Sequence, residues 1–190
     1  MTRIRRICAD FFRINMAKKL FLTLSIIAFF ASCGTRRNVV QNPVTFDEGV
    51  VINGIRWATR NVDAPGTFVQ KPENAGGLFT WYEAQNACPR GWRVPTRGEL
   101  QSLVEIDSEW TTYNDVNGRF FGIYPNQIFL PAVGWRYGDT GNFSRMGEFG
   151  NYWSTQHSTI DAMQLWFSIN SVWVQEFWKR TGLSVRCVAK

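Results

Sequence analysis

Cysteine and histidine are the residue types of this chain best suited to covalent chemistry. Four of its 190 residues are cysteines, and His157 is the single histidine. Cys8 and Cys33 lie near the N-terminus, which leaves Cys88 and Cys187 for the remainder of the chain. Hydrolysis requires a nucleophile beside an oriented base, whereas a lone histidine among polar residues is more typical of a surface position. We therefore predict no catalytic residue.

The segment before Cys33, residues 1–32, has the pattern of a secretory signal peptide. Lys18 and Lys19 precede an apolar run that is shorter than the roughly 20 residues of a membrane-spanning helix. The sequence FASCG at residues 30–34 resembles the lipobox of bacterial lipoproteins, in which the cysteine sulfur receives a diacylglyceryl group. We therefore predict that Cys33 is lipidated. Met16 begins a complete signal of its own and is a candidate for the true start.

Residues 33–46 are predicted to be the lipidated cysteine and a flexible tether, because they are polar and lack periodicity. Residues 47–190 are predicted to be the folded domain. This organisation predicts an exported protein that the lipid on Cys33 holds in the cell envelope. We expect the outer membrane, and the sequence does not indicate which of its two leaflets holds the lipid.

The net charge of +6 does not indicate nucleic-acid binding, because most of the positive excess lies in the predicted signal peptide. The remainder of the chain is nearly neutral and has no basic stripe that could follow a phosphate backbone. We therefore predict no nucleic-acid partner.

A cation site requires clustered oxygen ligands, and one stretch is rich in them. It contains Glu105, Asp107 and Glu109, followed by Asp115 and Asn117. Such a run of charges is more typical of a solvated loop than of a binding site. We predict no metal and no cofactor.

Cys88 and Cys187 most simply form one disulfide bridge, because an exported domain folds in an oxidising compartment. Closing a loop of about 100 residues stabilises a fold by about 4 kcal/mol in the chain-entropy model. Two reactive thiols are the alternative, and they would require a nearby base that lowers their pKa.

The elements that must position these residues are short. The dipeptide Asn53-Gly54 between apolar alternations predicts a β-hairpin. Two capping boxes, at residues 80–83 and 96–99, predict one helix over residues 81–87 and a second after Thr96. Strands are predicted at residues 128–130, 132–135, 151–154, 162–169, 172–177 and 183–188. This order indicates an α+β fold with the helices grouped.

Four segments resemble one family, the Fibrobacter succinogenes major paralogous domain of exported proteins from Bacteroidetes and Fibrobacteres. They are ACPRGWRVPTRGEL at residues 87–100, LPAVGWR at 130–136, GNYWST at 150–155 and GLSVRCV at 182–188. The resemblance implies a C-type-lectin-like domain, with two short helices packed on antiparallel, loop-rich sheets. It also implies a bridge between the first helix and the final strand, a role that Cys88 and Cys187 suit. The family has no established common activity.

The family's fold is related to that of formylglycine-generating enzymes, which use a pair of active-site cysteines to bind copper. If Cys88 and Cys187 form the structural bridge, the mature domain has no cysteine for that chemistry.

Aromatic side chains are the remaining candidates for a binding site. All nine tryptophans lie between Trp57 and Trp178, and those in the family motifs are most simply core residues. The candidates for ligand binding are Trp135, Tyr137, Trp166, Trp173 and Trp178. Alternation places Trp166 and Trp173 on the strand face opposite the apolar side chains. Such rings can stack on a sugar or contact a protein, unless loops or helices cover this second face.

The leading hypothesis is therefore a lipid-anchored, non-catalytic envelope module that binds a glycan or a protein through residues 134–178. One alternative is a structural component of a surface assembly. Another is an unrecognised enzyme related to formylglycine-generating enzymes.

Overall fold

The computed structural model describes residues 42–190, which form one compact unit. The predicted signal peptide, the lipidation site at Cys33 and residues 34–41 lie outside the described residues. Val44 forms an isolated bridge with Phe68, so packing begins before residue 47, where the sequence places the domain start.

Strands dominate the fold, and two short helices accompany them. The helices are α1 (Trp81–Ala84) and α2 (Arg97–Val104). The strands are β1 (Val50–Ile52), β2 (Ile55–Asn61), β3 (Trp92–Arg93), β4 (Ser108–Tyr113), β5 (Val116–Ile123), β6 (Asn126–Pro131), β7 (Trp135–Arg136), β8 (Phe143–Ser144), β9 (Gly150–His157), β10 (Asp161–Phe167), β11 (Val172–Trp178) and β12 (Arg186–Ala189).

The strands form several small sheets in which every named pair is antiparallel. A four-stranded sheet has the order β1-β2-β12-β3, and it joins the beginning of the domain to its end. Two three-stranded sheets have the orders β4-β5-β6 and β11-β10-β9, and β7 pairs with β8. The fold is therefore mixed, as predicted, but it is mostly β.

The predicted hairpin is confirmed, because β1 and β2 pair through Ile52 and Ile55. Asn53 and Gly54 between them have φ values of 50° and 77°. Two consecutive positive φ angles characterise the type I′ turn, whose twist matches that of the flanking strands. Asn and Gly adopt these angles at low cost, which is why the dipeptide predicts the turn.

Both predicted capping boxes are present, and each begins a helix. In α2, the Thr96 backbone N–H donates to Glu99 Oε2 at 2.7 Å, and the Glu99 N–H donates to Thr96 Oγ1 at 3.2 Å. Leu100 and Leu103 on one face of α2 are fully buried. Helix α1 is shorter than predicted, because the chain continues as a turn over residues 85–87.

The prediction of a solvated loop around the acidic stretch is correct only in part, because Glu105 and Asp107 are exposed in the connection between α2 and β4. Glu109 lies in β4 and Asn117 lies in β5, and these two strands pair along six residues from Ser108 to Tyr113. Asn114 and Asp115 make the turn between them with positive φ angles of 48° and 64°. Polar residues on an exposed hairpin lack the apolar alternation by which strands are recognised in a sequence.

Two clusters of buried side chains form the core, and strands β9 and β12 run between them. Tyr152 and Val188 belong to one cluster, together with Leu100 and Leu103 of α2. The next residue along β9, Trp153, belongs to the other cluster. Because successive side chains of a strand point to opposite faces, one strand can contribute to both clusters.

Arg186 of β12 is completely buried and connects several strands through its guanidinium. Its Nε and one terminal nitrogen donate to Asn61 Oδ1 at 3.0 and 2.8 Å. The terminal nitrogens also donate to the carbonyl oxygens of Ala58 and Phe129, at 3.1 and 3.0 Å. Desolvation lowers the pKa of Arg186 to about 10, so this side chain stays charged at neutral pH.

The hydroxyl of Tyr152 extends this buried polar network into β9. It donates to the Pro131 carbonyl at 2.7 Å and lies 3.5 Å from Asn61 Nδ2. Burial raises the pKa of Tyr152 to about 12, which keeps the hydroxyl protonated as a donor.

A disulfide joins Cys88 to Cys187, the pairing that the family resemblance implies, with the two Cα atoms 6.1 Å apart. The bonded residues are separated by 99 positions, so most of the domain lies within the covalent loop. Closing so long a loop lowers the entropy of the unfolded chain.

We expect the Arg186→Met substitution to lower the free energy of unfolding by about 3–5 kcal/mol, since it leaves buried acceptors on three residues without their donor. Denaturant unfolding followed by tryptophan fluorescence measures the change. Arg90→Met is the matched control, because Arg90 is exposed and its loss should change stability by less than about 0.5 kcal/mol. Equal stability of the two variants would contradict the structural role of Arg186.

Candidate functional site

One face of the sheet β11-β10-β9 packs on helix α2, and the other face carries Trp166 and Trp173 and contributes Ala162 and Trp153 to the second core cluster. Leu165 and Phe167 of β10 are fully buried on the α2 side. On the other face, Trp166 lies directly opposite Trp173 of β11. Alternation therefore places Trp166 and Trp173 on the face opposite Leu165, Val172 and Val174, as the sequence predicts.

Four of the five predicted ligand-binding residues belong to one continuous group of rings. We call this group the aromatic stripe and define it as Tyr137, Trp135, Phe149, Trp166 and Trp173. Successive ring centroids along it are separated by 6.1, 6.2, 5.1 and 4.4 Å. These distances lie in the range of favourable aromatic contacts, and the last pair is stacked with an interplanar angle of 18°.

The aromatic stripe is partly exposed and partly covered. Trp173 and Tyr137 at its two ends are 43% and 42% exposed. Trp135 and Trp166 between them are half-buried, because Phe149 from the segment before β9 packs on both rings. The stripe thus has two accessible rings, one at each end, and three less exposed rings that pack against each other between them.

Polar side chains lie among these rings. The Trp173 indole N–H donates to Gln175 Oε1 at 2.9 Å. Gln164, which lies opposite Gln175, is fully buried, and its amide has no hydrogen-bond partner among the described residues. Gln164 is not accessible to a ligand, but half-buried Gln175 beside Trp173 can contact the hydroxyls of a sugar whose C–H face lies on the ring.

Trp178, the fifth predicted residue, does not belong to the stripe. It lies at the end of β11, it is 71% exposed, and it borders a separate groove of about 330 Å³. Exposed Tyr82 of α1 and exposed Ile160 of the β9–β10 turn form other parts of the wall. Thr159, Lys179 and Arg180 complete this groove.

Lys179 is buried beside the groove and fixes one of its walls. Its ammonium donates to the carbonyl oxygens of Ser158 and Thr159 at 2.6 and 3.2 Å. It also lies 5.0 Å from the centroid of the Trp81 ring, a cation–π distance. The side chain therefore ties the end of β11 to the β9–β10 turn and to helix α1.

His157 also contacts Lys179 and Trp81. Its Nδ1 lies 2.8 Å from the Ser158 carbonyl oxygen and 3.1 Å from Lys179 Nζ. Its ring contacts Trp81 edge-on, with the centroids 4.4 Å apart. Among the hydrogen bonds of residues 42–190, none joins the His157 ring to a hydroxyl, a thiol or a carboxylate.

Two absences concern residues 42–190, the part of the chain that the structure describes. This part of the chain contains no group of three or more histidine, cysteine, aspartate or glutamate side chains placed to hold a metal ion. None of its helices is long and apolar enough to cross a membrane.

The sequence did not identify several residues that shape these surfaces. They lie on a short helix or in the connections next to strands, where hydrophobic periodicity gives no signal. These residues are Phe149, Tyr82, Ile160 and Lys179. Their neighbours in the structure come from distant parts of the chain, so sequence spacing carries no signal of the contact.

We expect Lys179→Met to release the β9–β10 turn, because the methionine retains the apolar stem but donates no hydrogen bond. The free energy of unfolding should fall by about 1–3 kcal/mol. Amide hydrogen exchange over residues 157–160 should accelerate, and mass spectrometry measures this change. Lys71→Met is the control at an exposed lysine. Unchanged exchange in the turn would show that Lys179 does not hold it.

One comparison with known proteins identifies a family. The sequence model described as the Fibrobacter succinogenes major domain matches residues 50–189. Searches among curated proteins and among solved structures return no match. Because the matched region covers most of the chain, the protein belongs to the Fibrobacter succinogenes major domain family.

Proposed function

We propose that this protein is a lipid-anchored, non-catalytic module of the cell envelope, with a C-type-lectin-like fold, and that it binds a glycan on the aromatic stripe. The family has no known function, so the proposal depends on the surface of this chain. The observation that carries it is the stacked pair of Trp166 and Trp173, in which the first ring is half-buried and the second is accessible.

Stacking of this kind suits a sugar for two physical reasons. The C–H groups on one face of a pyranose ring are apolar, and a tryptophan ring offers a flat surface of similar size. A preorganised ring also loses little side-chain entropy when a ligand binds. Trp173 is fixed by the Trp166 ring beneath it and by the hydrogen bond to Gln175, so it is preorganised in this sense.

The polar groups favour a glycan over an entirely apolar ligand. Gln175 is half-buried next to the accessible ring, and its amide can exchange hydrogen bonds with sugar hydroxyls. Binding sites for polar small molecules combine apolar walls with a few placed polar groups, and the stripe has this composition.

The aromatic stripe is tested by binding of the detergent-solubilised full chain to a glycan array. We expect Trp173→Ala to weaken binding of any recognised glycan at least about tenfold, because a central aromatic contact contributes about 2 kcal/mol or more. Phe46→Ala is the matched control, since Phe46 is 72% exposed and lies outside the stripe.

Three other results would contradict this site. If Trp178→Ala abolishes binding and Trp173→Ala does not, the groove beside Lys179 is the binding site instead. If both variants bind as well as the unaltered chain, neither aromatic surface is used. If the unaltered chain binds no glycan and captures an envelope protein through Trp173, the ligand is a protein.

The lipid anchor is tested separately, because it depends only on the sequence around Cys33. Cells that express the full chain are grown with an alkyne-labelled fatty acid, and the labelled protein is detected by fluorescence. We expect Cys33→Ser to remove the label and to release the protein from the membrane fraction, since two or more acyl chains are needed for stable anchoring. Cys8→Ser is the control, and loss of the label in that variant alone would contradict the assignment.

A further inference from the structure

Strand β11 is the edge of its sheet. It pairs with β10 along its whole length, from Val172 opposite Phe167 to Trp178 opposite Asp161. Among the described residues, no other strand pairs with its second side. Within residues 42–190, the one additional backbone bond to the strand is from the Thr181 N–H to the Trp178 carbonyl, at the end of the strand.

The alternation of hydrogen bonds shows which residues of β11 point their backbone groups outward. Ser168 and Ser171 form a hydrogen-bonded pair in the turn, because the Ser168 N–H donates to the Ser171 carbonyl at 2.9 Å. Hydrogen-bonded and non-hydrogen-bonded pairs alternate in an antiparallel ladder. The N–H and carbonyl groups of Val172, Val174 and Glu176 therefore point away from β10.

The sequence of this edge does not protect it against pairing. Natural edge strands are usually short or carry lysine, proline or a bulge. Strand β11 has seven residues, VWVQEFW, with regular pairing to β10 and a single charge at Glu176. Its residues are mostly β-branched or aromatic, the types that favour an additional strand neighbour.

We propose that β11 pairs antiparallel with β11 of a second copy of this chain, about a two-fold axis at Gln175. In this register Gln175 lies opposite itself. Val174 lies opposite Glu176 of the second copy, and Trp173 lies opposite Phe177 of the second copy. The two sheets join into one sheet of six strands.

The register follows from three constraints. A two-fold axis makes each strand meet its own sequence in reverse, and only the centre at Gln175 pairs all seven residues. The outward groups of Val174 and Glu176 then meet as a hydrogen-bonded pair, as the alternation requires. An axis at Glu176 would instead place two carboxylates directly opposite each other, which is unfavourable.

This pairing would extend the aromatic stripe across the axis. Trp173 of one copy would lie beside Phe177 of the second copy, on the same face of the joined sheet. Phe177 contacts Trp135 within its own copy, with the centroids 5.8 Å apart. Two stripes would therefore form a continuous aromatic surface, and a ligand could contact both copies.

A symmetric cysteine variant tests the proposal in the full chain. At the axis, Gln175 and its symmetry mate form a non-hydrogen-bonded pair with Cα atoms about 4.5 Å apart, within the range of a disulfide. We expect mild oxidation of Gln175→Cys to give a covalent dimer on a non-reducing gel. Thr112→Cys is the matched control, because Thr112 is exposed on β4, the edge of another sheet.

A second substitution distinguishes specific pairing from random collision. Glu176→Pro removes an outward N–H without loss of a bond to β10, so the fold should persist. Added to Gln175→Cys, it should lower the dimer yield at least about tenfold, whereas Glu176→Gln should leave the yield unchanged. A yield equal to that of Thr112→Cys, or one that Glu176→Pro does not lower, would overturn the proposal.

Discussion

A buried positive charge sets the strongest constraint on this fold. The guanidinium of Arg186 contacts no carboxylate within residues 42–190, and it is stabilised instead by Asn61 and by two backbone carbonyls. A buried charge is tolerated only when its hydrogen bonds are nearly complete, so the strands that supply the acceptors must hold one register. Those strands are β2 and β6, and Tyr152 extends the requirement to β9. The buried hydrogen bonds of the core thus fix the position of β9, and with it the sheet that carries Trp166 and Trp173.

Local chemistry explains which parts of the fold could be predicted from the sequence. The β1–β2 turn and both helix starts depend on residues one to three positions apart, and the sequence identified all of them. The β4–β5 hairpin was missed because its turn, Asn114-Asp115, follows a polar, half-exposed strand. Residues 132–134, predicted as part of a strand, form an irregular segment before β7. Apolar content alone does not distinguish a buried loop from a buried strand.

The site could be predicted only in part, for a related reason. Alternation along β10 and β11 correctly placed Trp166 and Trp173 on one face. The contact of Phe149 with Trp166, and that of Tyr82 with the groove around Trp178, join residues from different elements. Such contacts arise from tertiary packing, so periodicity cannot reveal them. The sequence therefore does not show which rings of the stripe are covered and which are exposed.

The Cys88–Cys187 bridge also determines how the domain would respond to mechanical load. Both the aromatic stripe and the groove residue Trp178 lie between the two bonded positions. If tension were applied between the N-terminal end of the domain and a ligand on Trp173, the chain before Cys88 could be drawn out completely, whereas extension inside the covalent ring could not exceed the length of its shorter arm, from Trp173 to Cys187. The covalent ring would limit the extension, and the ligand would remain on the closed part of the molecule while the first hairpin yields.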